Sequence, residues 1–135
     1  MLRTHAIVLG LLISCGSLGC NFDSGPPMVE VSGTVTFDGQ PVNDGNIFFR
    51  AKDGGNSYGG KIVQGKYEST VSPGDKTVEI IAMREVPGVF VSHNPGEKSP
   101  KMEMFIPPKY NRKTTLEISL PQDASQSTQD FQLDN

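Results

Sequence analysis

From Val29 to Phe37 the chain alternates without a break, with Val29, Val31, Gly33, Val35 and Phe37 on one side and Glu30, Ser32, Thr34 and Thr36 on the other. Only an extended strand turns successive side chains to opposite faces, so this segment is predicted to be a strand with one face in a core and one in solvent. The same period returns at Tyr67, Ser69 and Val71, at Val78, Ile80 and Ala82, at Met102, Met104 and Ile106, and at Leu116, Ile118 and Leu120. Breakers punctuate these runs. Asp38-Gly39 marks a turn and Pro41 bars continuation in a central strand. Asn43-Asp-Gly-Asn46, Asp53-Gly-Gly-Asn56, Gln64-Gly65, Pro73-Gly74-Asp75 and Pro107-Pro108 mark further turns.

Between them, Ile47 to Arg50 reads as a short aromatic strand, Gly60 to Tyr67 as two brief strands, and Phe131 with Leu133 as a closing one. Lys76 to Arg84 is short, β-branched and flanked by Pro-Gly pairs, which favours a strand over a helix. Glu85 to Pro100, interrupted by Pro87-Gly88 and Pro95-Gly96, is expected to be the longest irregular stretch. No amphipathic helix of normal length is visible. The expected fold is all-β, an antiparallel seven- or eight-stranded β-sandwich over residues 29–135. Period-two patterning does not separate sandwich from barrel, so the topology stays open.

The first 19 residues follow a different rule. Arg3 precedes the apolar run Ala6 to Ile13, and small residues with Cys15 and Cys20 follow, in the layout of an export signal. From Ala6 to the polar start at Asn21 the run falls short of the about 20 apolar residues needed to span a bilayer. The segment resembles the signal peptide of a bacterial lipoprotein, in which the cysteine after a lipobox receives a diacylglyceryl group and becomes the first mature residue. Ser17-Leu-Gly-Cys20 fits with Gly beside the cut, and Leu12-Ile-Ser-Cys15 is the alternative with the better first position. Two acyl chains suffice for stable anchoring where one does not. A secreted protein cut nearby and a Cys15 to Cys20 disulfide are the competing readings. The division expected is therefore residues 1–19 signal, 20–28 tether, and 29–135 sandwich. No cysteine follows residue 20, so the exported domain would be held by its core alone.

Val31-Ser-Gly-Thr-Val-Thr-Phe-Asp-Gly-Gln-Pro-Val42, Gly45-Asn-Ile-Phe-Phe49, Gly65-Lys-Tyr67 and Pro73-Gly-Asp-Lys-Thr-Val-Glu-Ile80 together resemble the carboxypeptidase regulatory-like (transthyretin-like) β-sandwich domain. The ending Ile106-Pro-Pro-Lys-Tyr-Asn111, Thr115-Leu116 and Asp130-Phe-Gln-Leu133 is similar to the version found in small exported planctomycete lipoproteins. The resemblance implies a transthyretin-like or immunoglobulin-like sandwich without catalytic activity. The residues have physical readings of their own. Gly33 is expected to admit a close neighbour, Asp38-Gly39 to supply positive φ, and Tyr67 to be a core aromatic whose hydroxyl needs a partner.

Little in the chain points to chemistry. A formal charge of −3 gives no basic field for nucleic acid. His5 leaves with the signal, so His93 alone cannot build a zinc site or a triad. The Asp44/Asn46 and Asp53/Asn56 clusters lack the spacing of calcium loops and read as turns. No pair of opposed carboxylates can be nominated, and Lys109, Arg112 and Lys113 read as a solvated turn. No catalytic, metal or cofactor residue is expected. The one surface candidate is the loop around Val89, Phe90 and Val91, three apolar residues in a Pro/Gly-bounded stretch, which reads either as a partner-contact tip or as an extra edge strand. The expectation is thus a non-enzymatic structural or protein-interaction module, anchored to the membrane by its N-terminal lipid in the periplasm or at the cell surface, with an envelope protein or a glycan as the partner open to it. The alternative is a carbohydrate- or peptide-binding module using Tyr58, Phe90 and Tyr110 as stacking aromatics. A hydrolase is the remaining rival.

Overall fold

The computed structural model describes residues 25–135. The signal segment, Cys15, Cys20 and the first part of the tether lie outside the described residues. Gly25 to Met28 is exposed and leads into the first strand.

The described chain is almost entirely strand. β1 (Val29–Phe37) occupies the alternating segment, with Val29, Val31 and Val35 buried. Asp38 and Gly39, at φ 47° and 78°, turn it into the two-residue β2 (Gln40–Pro41). β3 (Asp44–Ala51), β4 (Ser57–Val63) and β5 (Lys66–Val71) follow as a meander, and β6 (Gly74–Ile81) returns along the other side of β3. After β7 (Met83–Val91) and β8 (Ser99–Met104) come a 3₁₀ turn at Pro108–Tyr110, then β9 (Glu117–Leu120), β10 (Gln126–Thr128) and β11 (Phe131–Leu133).

The main sheet has the order β10-β1-β5-β4-β3-β6-β9 and curls so that its inward faces meet in one sandwich-like core. Ile47 and Phe49 of β3, Ile62 of β4, Tyr67 and Val71 of β5, and Val78 and Ile80 of β6 are buried there. Tyr67 joins distant parts of the curl, its ring 6.0 Å from that of Phe49 and 6.1 Å from that of Phe131. Lys76 also sits at an inward position of β6 and is buried, its ammonium donating to the Pro73 carbonyl at 2.8 Å.

The C-terminal segment closes the sheet by running parallel to β1. β10 pairs Glu30 to Ser32, and β11 pairs Val35 to Phe37. Between them Gln129 and Asp130 pass close against β1 at Gly33. A Cβ on Gly33 would lie 1.9 Å from the Gln129 carbonyl oxygen, so only glycine fits. The same carbonyl accepts the Tyr67 hydroxyl at 2.7 Å. Burial pushes the Tyr67 phenol up, and the nearby Asp130 charge adds to the shift. Asp130 in turn accepts from the Thr34 amide (2.7 Å) and hydroxyl (2.8 Å), which hold its carboxyl below the usual carboxylate range.

Several expectations need correction. Eleven strands form among the described residues rather than seven or eight, because β7 lies mostly in the stretch expected to be irregular and β2 and β10 are too short to show a period of their own. The expected all-β, antiparallel, sandwich-like class holds, with β10 and β11 alone pairing in parallel. Lys76 to Arg84 is interrupted at the buried Ala82, where β6 gives way to β7. Glu85 to Pro100 is not irregular throughout, because β7 runs to Val91 and β8 begins at Ser99.

A candidate partner interface

β7 and β8 pair with each other alone and form a two-stranded ribbon apart from the main sheet. Met83 stands opposite Met104, Arg84 opposite Glu103, and Glu85 opposite Met102. Four residues, Val86 to Val89, then bulge out with Gly88 at φ 73°, and pairing resumes with Phe90 opposite Pro100 and Val91 opposite Ser99. Because side chains alternate along β8, Pro100, Met102 and Met104 share one face, and their partners Phe90, Glu85 and Met83 share it with them.

The other face carries the pair Arg84 and Glu103, at 2.8 Å. The Arg84 guanidinium lies 5.5 Å from the centre of the Phe105 ring, which meets Phe37 at the end of β1 edge-on at 5.5 Å. Both faces of the ribbon are therefore open to solvent, the ion pair on one side and the methionines on the other. Phe90 is 60% exposed, and Met83, Val89, Met102 and Met104 are 41–49% exposed. These are five of the seven large apolar side chains exposed among the described residues. Scattered single exposures need no explanation, but a cluster on one element marks a contact surface.

The Met102, Met104 and Ile106 alternation was visible in the sequence, yet only Ile106 is buried. The first two belong to a strand with no core beneath it, a distinction that periodicity cannot make. Val89, Phe90 and Val91 are likewise not a loop. They end β7 as the extra strand, one of the two readings, with Phe90 and Val91 paired to Pro100 and Ser99 and Val89 in the bulge before them.

At the foot of the ribbon a groove of about 490 Å³ opens beside β6, bounded by Arg50, Glu79, Ile81, Met104, Ile106 and Arg112. Arg50 grips both oxygens of Glu79, through Nη2 to Oε2 and Nε to Oε1, each at 2.9 Å. Asn111 shapes the far wall, its side-chain amide donating to the carbonyls of Ile106 and Pro107 at 3.1 Å and its oxygen accepting the Arg112 amide at 2.8 Å. Among the described residues no carboxylate pairs with the Arg112 side chain. The sequence marked only Arg112, as part of a solvated basic turn, and not the groove itself, whose walls come from three separated segments.

The remaining candidates fall elsewhere. His93 is exposed in the tip between β7 and β8. Asp44 pairs with Lys61 at 2.7 Å, and Asp53 accepts the Gly55 amide at 3.0 Å in a local turn. Among the described residues no three His, Cys, Asp or Glu side chains cluster closely enough to hold a metal ion. Lys109 is tied to Asp134 at 2.6 Å and sits over the Tyr110 ring, and the Tyr110 hydroxyl donates to the same carboxylate at 2.6 Å. These two bonds hold Asp134 below the usual carboxylate range, Lys109 contributing more than Tyr110. Tyr58, Phe90 and Tyr110 lie on three different elements, and no two of them stack. No helix among the described residues is long and apolar enough to cross a membrane.

Neither a family model nor a curated protein matches this chain. A solved structure, that of a 9R-lipoxygenase from Cyanothece PCC8801, is similar over 80% of this chain at 15% identity, with a TM-score of 0.36. The chain spans 16% of that protein's length, and at such a score the likeness carries no argument about function.

Proposed function

We propose that this chain is a non-catalytic, lipid-anchored exported module of the carboxypeptidase regulatory-like kind, which presents its β7–β8 ribbon to a partner protein at the cell envelope. One observation carries the reading: the exposed apolar side chains gather on a ribbon at the end of the sandwich remote from the tether. Val29, where the chain enters, lies opposite Val71, and β6 starts three residues later at Gly74. β6 then runs away for eight residues, a span of about 23 Å at about 3.3 Å per residue, before Ala82 leads into the ribbon. A chain held by acyl groups on Cys20, or on Cys15, would point the ribbon away from its own membrane.

The test has two arms. Mass spectrometry of the mature N-terminus should find a diacylglyceryl cysteine, and processing should stop in globomycin. An unmodified N-terminus would remove the anchor from the proposal. A photo-crosslinking residue in place of Phe90 should then give a discrete protein adduct in intact cells, whereas the same residue in place of Lys66, on the main sheet, should not. Equal labelling from both positions would remove the ribbon as the contact surface. The carbohydrate-binding alternative has less support, because Tyr110 is engaged with Asp134 and its two companions stand apart from it.

A further inference from the structure

The groove at the foot of the ribbon deepens that reading, and the inference rests on it. Met104 belongs both to the apolar ribbon face and to the groove wall, so the two form one continuous surface. Its charges are few. Glu79 is spent on Arg50, with both oxygens engaged, and the groove keeps the guanidinium of Arg112, which has no carboxylate partner among the described residues, while the adjoining ribbon face carries one charge, Glu85. An arginine guanidinium presents planar paired donors suited to a carboxylate, and in a partly enclosed groove that match adds selectivity as well as affinity.

We propose that the ribbon and groove together receive an extended segment of a partner protein, whose apolar side chains lie on the methionine face and whose carboxylate, from Asp, Glu or a chain terminus, pairs with Arg112. The shape fits such a segment. From Pro100 to Met104 the face is about 13 Å long and two strands wide, room for about five extended residues. Methionine suits the task because its unbranched thioether repacks around different side chains. A second copy of this chain fits poorly, since a symmetric face-to-face contact would bury Glu85, which lies on the apolar face, against its own equivalent. The face, about 13 Å long and two strands wide, is also far smaller than the roughly 1,200 Å² of a stable interface. A lipid surface fits poorly because the ribbon lies remote from the tether.

The proposal can be tested with the full-length processed chain in detergent and a random dodecapeptide library displayed on phage. The selected peptides should combine apolar residues with an acidic residue or a free C-terminus, and synthetic copies should bind about ten- to a hundredfold more weakly to Arg112→Met. Arg112→Lys should recover part of that loss. Phe90→Ser should weaken binding of the same peptides, while both variants keep the wild-type circular dichroism and thermal midpoint. Peptides that bind the ribbon but ignore both acidity and Arg112 would overturn the groove's role and leave the interaction reading in place. If no peptide is enriched, or if Phe90→Ser binds as well as wild type, the reading and the inference fall together. Ribbon-dependent dimerisation in sedimentation, or ribbon-dependent binding to phosphatidylethanolamine–phosphatidylglycerol vesicles, would assign the surface to those occupants and overturn the proposal.

Discussion

Gly33 shows how one residue can fix a close approach of chains. The Gln129 carbonyl passes so close that a methyl group would overlap it, and the same carbonyl holds the Tyr67 hydroxyl. Gly33→Ala should therefore force the β10–β11 segment off β1, lowering stability by about 2 kcal/mol or more in urea denaturation. Retention of wild-type stability would mean that the approach has slack. Asp130, two bonds to Thr34 away, supplies a pH signature. Its carboxyl is lowered in the fold below an ordinary value of about 3.9, so the folded state favours the charged form. The resulting stabilisation is complete above that value and is lost as pH falls through the lowered one. Asp130→Asn should accordingly be less stable than wild type at about pH 7, with the gap in urea midpoint closing toward about pH 2. A gap that stays constant would show that the carboxylate charge is not involved. Gly33 and Tyr67 were both legible in the sequence, as a glycine inside a strand and an aromatic needing a polar partner. Their common partner was not, because Gln129 is 96 residues from Gly33 and lies in a polar segment with no period.

The elements divide by what lies beneath them. β1, β5 and β6 announce themselves through alternation, and the structure buries the faces the pattern implies. β8 alternates equally well over Met102 and Met104 but lies over solvent, since a period reports which side chains share a face and not whether anything covers it. β10 was not visible because a three-residue strand is too short to show a period, whereas β11 was marked by its two apolar residues, Phe131 and Leu133. The ribbon should behave as its isolation implies, since a two-stranded hairpin is marginal alone. Amides of β7 and β8 beyond Arg84 and Glu103 should exchange with deuterium much faster than those of β3 and β6, and replacing Val86 to Lys98 by a short turn should leave the thermal midpoint within a few degrees of wild type. A large loss of stability on trimming would show that the ribbon is part of the core structure instead of an appendage. A partner that covers the methionine face should slow the same amides.

At the scale of the whole molecule, the first and last strands of the described chain lie side by side in parallel. Glu30 pairs with Gln126 and Phe37 with Leu133, so the first strand is covered on its outer side only by the last. Phe131 and Leu133 are buried in the shared core, and removing residues 126–135 should abolish cooperative unfolding, which calorimetry or urea titration would read directly. A truncated chain that still melts in one sharp transition would show that β10 and β11 only decorate the sandwich. If the chain is exported as proposed, its front end leaves the cytoplasm long before its back end. The parallel seam along β1 then cannot form until translocation is finished, so the polypeptide stays threadable while it crosses and acquires its final shape only on the far side.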